Sequence, residues 1–224
     1  MPTVYLIRHG QASFGTANYD VLSEMGEQQS KVLGEELARR GVRADQVWSG
    51  TLSRQRATAA ACLPVAGIDV ECREDPRWNE YDLDALLERF LPELDIDPAS
   101  AAASPKEFQK ILERAMIMWS EGDESVGLAG TWRAFSEAPC QALDEVFTSL
   151  GRGGTALVFT SGGVISVICA SLLGLAPEGF LAVNRTMVNA GLTKIVRGSL
   201  GTSMVSLNEH AHFEGPNREL LSYR

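Results

Sequence analysis

The chain of 224 residues is 45% hydrophobic and 22% charged, the balance of a soluble globular protein long enough to bury one large core without staples. Its 20 basic and 29 acidic residues leave a net charge of −9. A surface of that sign repels phosphate backbones and anionic membranes, which argues against nucleic-acid and membrane partners and leaves room for a small anionic substrate held by local arginines. No stretch is apolar for long enough to span a bilayer, and the N-terminus enters a strand at once, so no signal peptide is expected. The four cysteines, Cys62, Cys72, Cys140 and Cys169, form no CxxC pair, which fits reduced packing residues in a cytoplasmic protein.

Thr3-Val4-Tyr5-Leu6-Ile7 is a short apolar run, rich in β-branched and aromatic residues, that stops at Arg8-His9-Gly10. It predicts a buried strand of a parallel sheet, with Arg8 and His9 at the carboxyl end where α/β sheets gather their chemistry. A polar loop from Gln11 to Asp20 follows, then a helix with Ser23 as N-cap, Val32, Leu33, Leu37 and Ala38 on one face, and Gly41 as its stop. Gln46 to Ser49 predicts a second strand. A helix from about Ser53 to Leu63 carries Arg54 and Arg56 in its first turn, where they oppose the helix dipole unless an anion shares the site. Ile68 to Cys72 predicts a third strand. From Leu83 to about Leu150 the pattern is mostly helical, broken near Asp95–Ser104 and Glu121–Gly130 by residues that favour loops; this block reads as a helical cap inserted over the pocket. Thr155 to Thr160 is a second buried strand running into Ser161-Gly162-Gly163 and an apolar helix from Val164 to Leu173, a strand, turn and helix N-terminus that suit a phosphate. Met187–Val196 and Ser203–Leu207 close the chain as two strands. Strands alternating with helices give an α/β fold with a largely parallel sheet, in one domain over residues 1–224 with the cap at about 83–150.

An Arg-His-Gly triplet occurs often by chance, and its place at a strand end is what singles it out. Arg offers a planar fork of donors for phosphate or carboxylate, and His serves as nucleophile or proton carrier near neutral pH. Arg54, Arg56 and Glu80 would each pass for solvated surface charges on their own. His210 and His212 are two of only three histidines. At strand spacing they face the same side, but without a third ligand they make a weak metal pair.

Taken together, these motifs resemble the histidine phosphatase superfamily, the phosphoglycerate mutase-like fold, over nearly the whole chain. Leu6-Ile7-Arg8-His9-Gly10 opens the match. Asp20 to Gln29 is similar to the D-x-L-[ST]-x-x-G-x-x-Q segment, and Ser49 to Ala59 to S-x-L-x-R-A-x-x-T-A with Arg54 in the arginine place. Glu80 falls where the family keeps its acidic proton donor, Phe159 to Ile165 matches V-S-H-G-G-V-I, and Asn208 to Phe213 resembles N-x-x-x-H-L with His212 in the histidine place. The resemblance implies a three-layer α/β/α fold, His9 as nucleophile with Arg8, Arg54 and Glu80 as catalytic partners, and a phosphate site built from Arg8, Arg54, Ser161, Gly162, Gln11, Ser13, His212 and His210, with no metal and no cofactor.

One departure stands out. The histidine that the family carries before Gly-Gly is Ser161 here, as in a branch with a Thr-Ser-Gly-Gly turn. Exchanging an imidazolium for a hydroxyl at a phosphoryl oxygen removes roughly 2–4 kcal/mol, or about 10²–10³ in rate, unless the site compensates; His210, His212, Thr160, Arg56 and the Gly162 and Gly163 amides are the candidates. The expected activity is hydrolysis of a small phosphomonoester through a phosphohistidine. A mutase-like phosphotransferase and a catalytically weak phosphate- or phosphoprotein-binding module stand as alternatives. The substrate and the oligomeric state, a homodimer among the options, stay open.

Overall fold

The structure is a computed structural model that describes residues 1–13, 20–94, 104–122 and 130–223. Strand β1 (Thr3–Arg8) sits inside a six-stranded sheet together with β2 (Gln46–Ser49), β3 (Cys72–Glu74), β4 (Thr155–Thr160), β5 (Leu192–Gly198) and β6 (Gly201–Glu209), in the order β3-β2-β4-β1-β5-β6. The first four strands run parallel, and β5 and β6 add an antiparallel hairpin at one edge. The expected three-layer α/β architecture is therefore present, with a mostly parallel sheet.

Both faces of the sheet are covered, which explains the unbroken apolar runs of β1 and β4. Side chains alternate across a strand: Val4, Leu6, Ala156 and Val158 enter one core cluster, and Tyr5, Ile7, Leu157 and Phe159 the other. Helices α1 (Glu24–Arg39) and α2 (Ser53–Ala66) cover the second face through Leu33, Leu37, Ala59 and Cys62. Ser23 caps α1 as expected, its Oγ accepting from Gly26 N at 3.1 Å. The cap block contains α3 (Leu83–Phe90), α4 (Pro105–Glu121) and α5 (Trp132–Ser149); its expected loops fall largely outside the described residues. The later half of α5 packs on the first face of the sheet through Ala142, Leu143, Val146 and Phe147, so that half serves as a layer helix as well as the end of the block. Helices α6 (Gly162–Leu173) and α7 (Pro177–Asn184) bridge to the cap, where Val167, Ala170 and Phe180 join Leu86, Phe90, Met116 and Trp119 in a third cluster.

Three sequence expectations change. The third strand begins at Cys72, where the sequence placed its end. Residues 187–191 form a loop under His9 before β5 starts: Ala190 adopts φ 54° and Gly191 N bonds back to Val188 O at 3.1 Å, a turn that interrupts the apolar run. β6 ends at Glu209, after Asn208 has turned to φ 52° with its side chain bonded to Val188 N and Thr186 O. His210 and His212 therefore lie beyond the strand, and strand spacing does not relate them.

Candidate active site

Chain entry into the site is set by contacts that need glycine. A Cβ on Gly10 would lie 2.4 Å from Gly26 O, and one on Gly26 would lie 2.2 Å from Gln11 O, so α1 and the His9 turn touch backbone to backbone. Thr58 Oγ1 accepts from Gly10 N at 3.0 Å, and Asn189 Nδ2 donates to His9 O at 3.2 Å. Gln29 Oε1 accepts from Gln11 N at 2.8 Å. The strand end is thus fixed from three directions before any chemistry is considered.

His9 is 4% exposed. Its Nδ1 lies 2.7 Å from Gly10 O. A carbonyl oxygen only accepts, so Nδ1 carries the proton and Nε2 the lone pair. Arg54 Nε donates to that Nε2 at 3.1 Å. Burial, followed by the charges of Arg54 and Arg8, holds the imidazole pKa well below the ordinary 6.5, and the bond to Gly10 only partly opposes this. The ring is therefore neutral near pH 7, with its Nε2 lone pair facing Arg54.

Asp20 positions Arg54. Its carboxylate accepts from Arg54 Nη1 at 2.8 Å and from Ser53 N at 2.7 Å. Partial burial works against the charge, but the Ser53 and Arg54 amides and the Arg54 guanidinium outweigh it and hold Asp20 below its ordinary value. Asp20 is the anion that shares the N-terminus of α2 with Arg54. Arg8 donates from Nη1 to Met187 O, and to Tyr223 O at 2.8 Å, so the last described residues reach the site. A Cβ on Gly162 would lie 3.3 Å from Arg8 Nε, which brings the start of α6 against the same guanidinium.

Glu80 comes from the segment after Trp78. Its Oε2 accepts from Gly163 N at 3.0 Å, and its buried Oε1 has no hydrogen-bond partner among the described residues. Burial raises its pKa above the ordinary 4.5, against the pull of Gly163 N–H, Arg54 and Arg8. A carboxyl whose proton affinity is raised by burial suits an acid.

The structure brings His9, Arg8, Arg54, Glu80, Ser161 and Gly162 to one end of the sheet: Arg8 pairs with Thr160 in the β1–β4 register, and His9 N donates to Thr160 O at 2.9 Å. Gln11 lies beside His9 in the chain, but its Oε1 accepts from Ser23 Oγ at 2.9 Å and its amide serves Gln29; Ser13 N bonds Val21 O. The two C-terminal histidines bond to backbone carbonyls. His210 Nδ1 is 2.6 Å from Asn208 O, and His212 donates from Nε2 to Ala190 O at 3.1 Å, with burial the main influence on its proton affinity. His212 thus supports the loop beneath His9 from behind. Arg56 is half exposed and leans to Glu74 at 3.7 Å, and the Thr160 hydroxyl donates to Trp78 O at 2.7 Å. Among the described residues no group of three His, Cys, Asp or Glu is placed to hold a metal ion, and no helix is long and apolar enough to cross a membrane. Asp20 and Gln55 are residues the sequence reading did not place in the site. The motif around Asp20 pointed to the first, and nothing local marked the second.

Comparisons with known proteins bear on the family and the fold. A 2,3-bisphosphoglycerate-dependent phosphoglycerate mutase of Brucella anthropi is 26% identical over 213 residues, covering 91% of this chain and 96% of that protein. A protein of the same name from Chelativorans sp. is 28% identical over 185 residues, 79% of this chain and 84% of its own. Among solved structures, Bacillus stearothermophilus YhfR superposes with a TM-score of 0.71 at 18% identity, over 96% of this chain and all of its own. The mycobacterial glucosyl-3-phosphoglycerate phosphatase does so with a TM-score of 0.64 at 20% identity, over 93% and 99%. These structural likenesses carry the fold. The model of the histidine phosphatase superfamily (branch 1) matches residues 4–210, from the first strand to the end of the last, and the chain belongs to that superfamily.

Proposed function

We propose that the protein hydrolyses phosphomonoesters through a phosphohistidine on His9. The observation that carries this reading is the state of the His9 ring: tautomer fixed by Gly10 O, proton affinity depressed by burial and two arginines, and Nε2 presented to Arg54. On substrate binding the Arg54 and Arg8 donors turn to the non-bridging phosphoryl oxygens and offset the charge that spreads over them. This also frees the Nε2 lone pair for in-line attack. The N–P bond forms as the P–O bond to the leaving group breaks, and Glu80 delivers its proton to that departing oxygen. Glu80, now a carboxylate, takes a proton from the water that attacks the phosphohistidine, releasing inorganic phosphate and restoring both groups.

A second reading is phosphoryl transfer of the mutase kind, which the names of the curated relatives favour. It uses the same first half-reaction and differs in returning the phosphoryl group to an acceptor instead of water. The test is turnover of a panel of phosphomonoesters by the wild-type protein and by His9→Ala. Hydrolysis that disappears in the variant supports the proposal; equal rates sink it. Exchange of phosphate between two phosphoglycerate positions without release would favour the mutase.

A further inference from the structure

We propose that Gln55 is the positioning residue that makes Ser161 a hydrogen-bond donor to the phosphoryl group, an inference that rests on the phosphomonoester reading above. Gln55 and Ser161 are both fully buried. Gln55 Nε2 lies 2.9 Å from Trp78 O and 2.8 Å from Ser161 Oγ. Trp78 O carries only lone pairs, so the atom facing it must be the amide nitrogen, and the orientation of the Gln55 amide follows from chemistry. Both N–H bonds are then used, one on Trp78 O and the other on Ser161 Oγ. Ser161 Oγ is an acceptor towards Gln55, and its single proton must point elsewhere.

No described residue takes that proton. Ser161 is the N-cap of α6 and makes no side-chain bond to the helix. It follows Thr160, which pairs with Arg8, so it stands beside His9 at the carboxyl end of the central strands. Thr160 offers no such donor, because its hydroxyl is spent on the same Trp78 carbonyl. The Ser161 hydroxyl proton therefore remains for a phosphoryl oxygen held by Arg8 and Arg54.

The space around Gln55 is fitted to it. Its Oε1 accepts from Leu52 N at 3.4 Å, and a Cβ on Gly50 would lie 2.0 Å from that oxygen. A buried amide is tolerated only when its polar atoms are bonded, and here they are. In the motifs the chain resembles, position 55 holds Ala and position 161 His, so these two of the chain's departures are in direct contact with each other. A side chain longer than serine leaving residue 161 in the direction of Oγ would meet the Gln55 amide.

The test is steady-state kinetics on one alkyl phosphate, with orthovanadate inhibition and thermal melting measured alongside. Ser161→Ala is expected to lower kcat about 10²-fold with little change in KM. Gln55→Glu keeps the shape but presents an acceptor that turns the serine proton inward, so its loss is expected to be similar. The double variant is expected to be no worse than Ser161→Ala alone, and vanadate affinity should follow kcat. Wild-type kcat in Ser161→Ala, or losses that multiply in the double variant, overturn the inference. If Gln55→Glu melts early, Gln55→Met is the replacement, and Ser161→Ala removes only a hydroxyl. Phosphatase activity that is absent in the wild-type protein overturns the reading beneath, and the inference with it; activity lost in His9→Ala but intact in Ser161→Ala overturns the inference alone.

Discussion

Gly163→Ala separates the proton donor from the rest of the site. The new Cβ would lie 2.2 Å from Glu80 Oε1 and 3.1 Å from Tyr81 Cε1. Carbon–oxygen contacts settle near ~3.5 Å, so the carboxyl must retreat by about 1 Å. A misplacement of about that size costs roughly 10²-fold in a step that depends on it. The backbone at Gly163 is helical and not left-handed, so alanine itself is tolerated there and its helix preference recovers up to about 1 kcal/mol. The assay pairs an alkyl phosphate, whose leaving group needs a proton, with an aryl phosphate, whose leaving group needs it far less. The expected result is a folded protein that loses about 10² in kcat/KM on the alkyl ester and little in kcat/KM on the aryl ester, because kcat/KM ends at the phosphohistidine and excludes its later hydrolysis. A folded variant with unchanged alkyl kcat/KM, or with equal losses of kcat/KM on both esters, refutes the placement of Glu80 as the acid.

The pH dependence follows from the same pair. His9 must be neutral and its pKa lies below 6.5, so the acid limb of alkyl phosphate turnover should fall below that pH; Glu80 must be protonated and its pKa lies above 4.5, so the other limb should lie above that pH. Glu80→Gln should remove the alkaline limb and leave the acid one, and an alkaline limb that survives would contradict the assignment. Asp20→Asn weakens the hold on Arg54 and is expected to lower kcat/KM about tenfold through one lost charge-assisted bond, read by the same assay. Buried His212 has a pKa lowered to about 4 by burial, against 6.5 when exposed. The unfolded chain therefore takes up the proton first, and stability is full above pH 6.5 and is lost as the pH falls towards 4, by roughly 3 kcal/mol. His212→Gln should flatten the denaturant-unfolding free energy between pH 7 and 4, and an unchanged slope would count against it.

Much of this was legible because it is local. Thr3–Arg8 and Thr155–Thr160 are buried strands with no periodicity to confuse them, Ser23 caps its helix three residues on, and Arg8-His9-Gly10 lies at a strand end. What the sequence hid depends on distant contacts. Nothing local marks Gln55, because its partners are Trp78 and Ser161, the latter 106 positions away. Arg56, one residue further round the helix, points to Glu74; adjacent helical residues face different directions, so two arginines in one turn cannot both reach the site. The shared-face argument for His210 and His212 failed because it assumed a strand through Asn208, whose φ of 52° is tolerated by asparagine but ends the alternation.

The central claim is a covalent phosphoryl group on His9 Nε2. Rapid acid-free denaturation during turnover, followed by peptide mass analysis, reads it directly. The expected result is one phosphoryl group on the peptide that contains His9, labile to acid, absent in His9→Ala and longer-lived in Glu80→Gln, where water is no longer activated. Turnover with no label on His9, or label on another residue with His9→Ala still active, would contradict the account.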